Sequence, residues 1–217
     1  GLGVWQLNRA EEKRSLLSLQ ISQQSTEATV LSANMPDFSE AFLYKPVQAA
    51  GRYDNKHQYL LDNQVNQGRA GYFVLTPFVL QHEKKAVLVN RGWVSLGKSR
   101  SDLPDISVED DQSSIVGRIN RFPNVGLKLA GAEIPDENWP ALIQVVDTKI
   151  LSQQLGYPLF GFQIELDKES KNGFIREWQL PTVMTPEKHI AYAVQWFLLA
   201  ITLTVFFVKV GFKKGND

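Results

Sequence analysis

The three histidines, His57, His82 and His189, are the residues whose chemistry first suggests a site. The first two lie in the polar stretches DNKHQY and QHEKK, which are typical of exposed turns or strands. His189 instead lies in the first turns of a long apolar segment, where the positive end of a helix dipole favours the neutral imidazole. Because neutral imidazole is the form that binds metal ions and haem iron, His189 is the predicted metal ligand.

Aromatic residues follow His189 at helical spacing. At 100° per residue, Tyr192, Ala193 and Trp196 fall on the same side of a helix as His189. A small residue flanked by two aromatic rings can accept a flat macrocycle, so Tyr192 and Trp196 join His189 in the predicted cofactor-binding site. An interfacial histidine, or one hydrogen-bonded to a neighbouring helix, explains the same pattern.

The rest of the chain carries no recognised catalytic motif. The absence of cysteine excludes disulfides and thiolate chemistry, and it weighs against a copper carrier. Asp54, Asp62, Asn63, Asn90 and Arg91 can form a polar cluster if the strands around them pair, but no GxSxG, HExxH or phosphate-loop pattern occurs. We therefore expect that the protein is not an enzyme, with a membrane-anchored hydrolase as the alternative. A net charge of zero weighs against a nucleic-acid partner.

Residues 185–210, TPEKHIAYAVQWFLLAITLTVFFVKV, predict a transmembrane helix. Thr185 is a suitable N-cap and Pro186 a suitable first helical residue. From residue 190 to residue 208 the run is almost wholly apolar, and at 1.5 Å per residue it spans about 28 Å, close to the hydrocarbon core of a bilayer. The lipid bilayer is therefore a predicted partner of this segment.

Flanking charges predict the orientation of this helix. Three lysines near its end outnumber the basic residues before it, which places residues 211–217 in the cytoplasm as a tail and the body of the chain outside the inner membrane. The opening stretch GLGVWQLNRAEEKRSLL has the composition of the exit of another membrane helix or of an amphipathic helix. Since the first residue is not methionine, we expect residues 1–24 to be the end of a truncated N-terminal anchor and a following helix.

Residues 25–184 are predicted to form an external α+β domain. A period of two predicts strands at VQAAGRYD, HQYLLDN, YFVLTPF, AVLVNRGWVSL, SSIVGRINRF, LIQVVD and PLFGFQIELD. Pro77 suggests an edge or a bulge, the stretch 97–112 a loop, and TKILSQQLG a short helix that stops at Gly156. Short, closely spaced strands favour an antiparallel sheet or partial β-barrel with short helices, flanked by membrane helices of which the C-terminal one is complete.

Four segments resemble landmark segments of the Surfeit-locus family of cytochrome c oxidase assembly proteins. They are LGVWQLNRAEEK, GRYDNKHQYLLDNQVNQGRAGYFVLTPF, VLVNRGWVSLG and EKHIAYAVQWFLLA. They occur in the family's order and cover the chain from one end to the other. The resemblance implies two membrane helices that flank a domain in the periplasm or the intermembrane space, with most of the first helix missing from this sequence.

The resemblance also implies a function. A member of this family would be a multi-pass protein of the cell inner membrane, or of the mitochondrial inner membrane, that holds haem a transiently or hands it to the oxidase catalytic subunit. His189 matches a family position proposed as a haem ligand, with Tyr192 and Trp196 in the family's arrangement. Arg91 is a candidate partner for a haem propionate, with a structural ion pair as the alternative.

The implied partners are the oxidase catalytic subunit and other assembly factors. The alternative function is a haem-free scaffold that stabilises an oxidase assembly intermediate.

Overall fold

The computed structural model describes residues 1–24, 26–36, 38–97, 102–108, 114–123, 131–132, 134–136, 138–178 and 184–214. The chain divides into two compact units. The barrel unit comprises Ser22–Trp178, and the helical unit comprises Gly1–Ile21 with Gln179–Asp217. The domain boundaries predicted at residues 24 and 184 stay predictions.

The strands all belong to the barrel unit. They are β1 (Thr29–Val30), β2 (Pro46–Tyr53), β3 (Tyr59–Asn66), β4 (Arg69–Leu80), β5 (Ala86–Ser95), β6 (Ser114–Asn120), β7 (Ala141–Ile143) and β8 (Leu159–Leu166). The α-helices are α1 (Leu2–Gln24), α2 (Thr148–Leu155) and α3 (Pro186–Lys214), and a single 3₁₀ turn covers Glu40–Phe42. A strand occurs at each of the seven predicted stretches, although only the first two residues of LIQVVD belong to β7. Of the loop predicted at 97–112, residues 98–101 and 109–112 lie outside the described residues.

Five strands close into a barrel in the order β2–β6–β8–β5–β4, and β4 pairs with β2 to complete the circuit. The expectation of an antiparallel sheet or partial β-barrel with short helices is therefore confirmed for the barrel and the helices, with two differences: the barrel is closed and the sheet is mixed. Parallel pairs join β5 to β8, β3 to β7 and β1 to β2. A parallel pair needs a long crossover, and the chain between β5 and β8 supplies one that contains β6, β7 and α2.

Closure depends on two strands that change partners along their length. The first part of β2 pairs with β6, and its last three residues, Gly51–Tyr53, pair with β4. In turn, β4 pairs with β3 as far as Leu75 and with β2 from Phe78 onward. Pro77 lies at this changeover rather than at an edge, so its missing N–H removes no ladder hydrogen bond.

Three apolar clusters hold the barrel unit together, and the two larger ones contain most of its core. The first fills the barrel with inward side chains of its five strands, among them Val47, Phe78, Val89, Ile119 and Phe162. The second packs Leu151 of α2 against β3, β4 and β5. Asp147 caps α2 by accepting from the backbone N–H of Lys149 and Ile150 at 3.0 and 3.3 Å, and Gly156 ends the helix at φ 77°, as predicted.

In the helical unit, α3 begins at Pro186, and the backbone N–H of Lys188 donates to the Thr185 hydroxyl at 3.5 Å, which confirms the predicted cap. Among the described helices, α3 alone is long and apolar enough to cross a membrane, over Pro186–Gly211. In contrast, α1 is one continuous helix whose central turns carry Arg9, Glu11, Glu12, Lys13 and Arg14. The expectation of flanking membrane helices is therefore supported for α3 only.

Candidate functional site

The predicted ligand His189 lies against α1. Its Nδ1 is 2.6 Å from Oε1 of Gln6, a residue 183 positions away in the sequence. Farther along the two helices, Gly3 faces Phe197, and a Cβ at Gly3 would lie only 2.8 Å from that ring. Because Gln6 meets His189 and Gly3 meets the later Phe197, α1 and α3 pass each other in opposite senses.

The contact with Gln6 fixes which ring nitrogen of His189 donates. An amide oxygen can only accept a hydrogen bond, so Nδ1 of His189 donates to it, and in the neutral imidazole the lone pair is then on Nε2. Among the described residues no group binds Nε2 of His189, whose lone pair is free in the neutral imidazole. That lone pair is the group that a metal ion or haem iron would take.

The two predicted aromatic residues lie beside a covered histidine. His189 is only 6% exposed and Ala193 is fully buried, whereas Tyr192 and Trp196 are 44% and 42% exposed. On the helix face predicted from spacing, His189 and Ala193 are thus buried, whereas the side chains of Tyr192 and Trp196 are exposed. The cofactor role of Tyr192 and Trp196 stays a prediction.

Arg91 lies in β5 of the barrel unit, and its side chain is almost completely buried. Burial lowers the pKa of the guanidinium to about 10, so it is charged at neutral pH. Its N–H groups donate to neutral oxygens, namely Asn172 O at 2.7 Å, Gln58 Oε1 at 2.9 Å, Thr76 Oγ1 at 3.3 Å, Ile106 O at 2.7 Å and Ser107 O at 3.2 Å. In the described part of the chain this residue therefore ties strands to loops, and its role towards a haem propionate stays a prediction.

Sequence reasoning missed a polar cluster around Asp54. One carboxylate oxygen, Oδ2, accepts from His57 Nδ1 at 2.7 Å and from the Tyr157 hydroxyl at 2.8 Å. The Trp139 ring contacts the imidazole edge-to-face at a centroid distance of 4.8 Å. The spacing of Asp54 and His57 in DNKH is visible in the sequence, but the approach of Tyr157, 103 positions away, is not.

The five polar residues expected to cluster do not share one network. Asp54 binds His57 and Tyr157, whereas Asn90 donates to Gln163 Oε1 at 3.1 Å and Arg91 binds the oxygens described above. Asp62 accepts from the backbone N–H of its neighbour Asn63 at 2.7 Å. Proximity in the sequence therefore did not predict proximity in the barrel.

The Asp54 cluster predicts a dependence of stability on pH. Burial raises the pKa of Asp54, but the hydrogen bonds from His57 and Tyr157 outweigh burial and hold that pKa below its usual range. The carboxylate therefore stabilises the fold above the unfolded pKa of about 3.9, and this stabilisation is lost as pH falls through the lower folded value. At pH 7 we expect Asp54→Asn to lower the free energy of unfolding by about 1–2 kcal/mol.

Denaturant unfolding of the wild type and Asp54→Asn at neutral pH and below pH 4 measures this difference. The gap between the two proteins should shrink as pH falls through the lowered folded pKa of Asp54, because the wild-type carboxyl then becomes neutral as well. A gap of constant size across that range would contradict the assignment.

Comparison with known proteins gives a consistent picture. The sequence model of the SURF1 family matches residues 1–201. A SURF1-like protein of Rickettsia felis is 29% identical over 95% of this chain and 89% of the relative, and Surfeit locus protein 1 of Rattus norvegicus is 23% identical over 96% and 71%. The cytochrome oxidase assembly protein SHY1 of Saccharomyces cerevisiae is 29% identical over 46% of this chain and 26% of the relative.

Proposed function

Because this chain belongs to the SURF1 family, we propose that it is an assembly factor for cytochrome c oxidase that holds haem a and hands it to the catalytic subunit. The oxidase role is supported by the name of the yeast relative, a cytochrome oxidase assembly protein. SURF1 proteins are assembly factors and not enzymes, in agreement with the prediction from the sequence. The partners in this proposal are the oxidase subunits.

In this proposal α3 anchors the protein in the inner membrane. Its side chains from Val194 to Gly211 are exposed along the whole helix, and most of them are apolar, which suits a lipid environment. The lysines at its end favour a cytoplasmic C-terminus and a barrel unit on the periplasmic side.

Protease added to intact spheroplasts is then expected to digest the barrel unit. Protection of that unit until the membrane is ruptured would contradict this orientation.

The observation that carries the haem role is the hydrogen bond between His189 and Gln6. In the neutral imidazole the lone pair is then on Nε2, near the start of the membrane helix, and this nitrogen is the atom of His189 that would hold a haem iron. Tyr192 and Trp196 would offer aromatic surface to the macrocycle. A single imidazole ligand suits a carrier, because the cargo must also be released.

The test is an absorption spectrum of the full-length protein purified in mild detergent from cells that make haem a. We expect a Soret band in the wild type and its loss in His189→Ala. The matched control is His82→Ala, which removes a histidine of the barrel unit in the turn between β4 and β5 and should leave the band unchanged. A folded wild-type protein without a Soret band, from cells shown to contain haem a, would contradict the haem role.

One observation favours the haem-free scaffold as a second candidate. His189 is 6% exposed and its imidazole is bonded to α1, which is also the geometry of a simple tie between two helices. A scaffold would co-purify with oxidase subunits, show no haem absorption, and keep its partners in His189→Ala. The same preparations therefore distinguish the two candidates.

A further inference from the structure

We infer that Gln6 is the positioning residue of the haem site, because it sets the tautomer and the orientation of the His189 ring. This inference rests on the proposed haem role of His189. The carrying observation is the 2.6 Å contact between Gln6 Oε1 and His189 Nδ1. Metal-binding histidines commonly donate their second ring N–H to such an oxygen, which directs the other nitrogen towards the metal.

The residues around Gln6 offer its side-chain amide few hydrogen-bond partners other than His189. Within the stretch Leu2–Leu7, Gln6 is the only residue with a polar side chain. The apolar residues Leu2, Val4, Trp5 and Leu7 are each about half exposed, whereas Gln6 is partly buried. An amide without a hydrogen bond in apolar surroundings costs about 1–3 kcal/mol. The side chain is therefore held on His189.

The helix that carries Gln6 is itself held in place. Gly3, Gln6 and Ala10 lie at spacings of three and four residues and so share one face of α1. Gly3 and Ala10 are buried, and Gly3 leaves room for the Phe197 ring of α3. This face fixes the position of α1 beside His189, and the amide oxygen of Gln6 arrives at Nδ1 as a consequence.

The amide oxygen of Gln6 is a weaker hydrogen-bond acceptor than a carboxylate, and the strength of this acceptor affects the basicity of the His189 imidazole. Hydrogen bonding at Nδ1 raises the basicity of the imidazole, and a carboxylate would raise it more than an amide does. Gln6 therefore orients His189 without making it the strongest possible ligand. That balance suits a protein that must give up its haem.

The test measures the binding of added haemin to the full chain in detergent. We expect Gln6→Leu to bind haemin about 10–100-fold more weakly than the wild type. Metal affinity usually falls by this factor when the group that accepts a hydrogen bond from a metal-binding histidine is removed. Gln6→Glu should bind more tightly and raise the iron–histidine stretching frequency of the reduced complex, measured by resonance Raman spectroscopy. Asn8→Leu, the same exchange of an amide for leucine at an exposed position of α1, should match the wild type.

Two outcomes separate this inference from the haem role itself. If the wild type and His189→Ala bind haemin equally, the haem role fails and the inference fails with it. If His189→Ala abolishes binding while Gln6→Leu and Gln6→Glu both match the wild type in affinity and stretching frequency, the haem role stands and the positioning role is overturned. Circular dichroism of each variant shows that its helices are intact before binding is compared.

Discussion

Arg91→Met is expected to destabilise the barrel unit by about 3–5 kcal/mol, a large fraction of the roughly 5–15 kcal/mol that stabilises an ordinary folded protein. The substitution removes the guanidinium but leaves its acceptors in place. Gln58 Oε1 keeps the Thr76 hydroxyl as a donor at 2.8 Å, but among the described residues the carbonyl of Ile106 has no other donor, and because Ile106 is only 4% exposed, water cannot easily replace the lost one. Each buried acceptor without a donor costs about 1–3 kcal/mol.

The guanidinium also packs between two aromatic rings. Its central carbon lies 5.0 Å from the centroid of Phe174 and 5.8 Å from that of Tyr53, and methionine would keep only part of these contacts. Arg91→Lys retains the charge but has three donors instead of five, so we expect an intermediate loss.

Denaturant unfolding of the full chain in detergent measures these losses. The matched control is Arg69→Met in β4, where the arginine is exposed and the expected change is within about 0.5 kcal/mol. A loss below about 1 kcal/mol for Arg91→Met would show that the five hydrogen bonds contribute little, in contradiction of the value expected from buried acceptors.

Gly51→Ala is the second substitution with a large expected effect. A Cβ at Gly51 would lie 2.1 Å from the carbonyl oxygen of Val79 and 2.8 Å from the Phe78 ring. The oxygen belongs to the backbone of β4, in the segment that pairs with the end of β2 and closes the barrel. The clash can be relieved only if the two strands move apart, and we expect a loss of about 3 kcal/mol or more.

A matched control exists in the same barrel. Gly161 lies in β8, and a Cβ there would have no atom within 4 Å, so Gly161→Ala should be neutral or slightly stabilising. Thermal unfolding of the two variants beside the wild type makes the comparison. Equal melting temperatures for Gly51→Ala and Gly161→Ala would rule out close strand contact as the reason for glycine at position 51.

The spacing of apolar residues and the capping residues predicted most strands and helices, because these elements depend on neighbouring residues in the sequence. The strands were found because side chains alternate between the barrel interior and its surface, and α2 because Asp147 and Gly156 mark its ends. His189 was singled out because a histidine at the start of an apolar helix is unusual, and its role as a ligand stays a prediction. Gly51 lies inside β2, where another backbone passes close by, and no local pattern in the sequence indicates that contact.

Contacts between distant segments could not be predicted in this way. Closure of the barrel rests on the pairing of Gly51–Tyr53 with the end of β4, and nothing in either segment specifies the other. The partner of His189 is 183 residues away, and Arg91 is bonded to loops whose sequences show only that they are polar. Such contacts depend on how the whole chain packs, whereas the local sequence pattern predicts only where the helices and strands lie.

Closure of the barrel also limits where a foreign strand could attach. The strands at the two ends of the sheet order are β1 and β7, which contain two and three residues. Strand addition and amyloid-like stacking need a longer row of unpaired backbone groups than either of these provides. At the two ends of its order, the described sheet therefore offers few backbone hydrogen-bonding groups to which a strand of another protein could add.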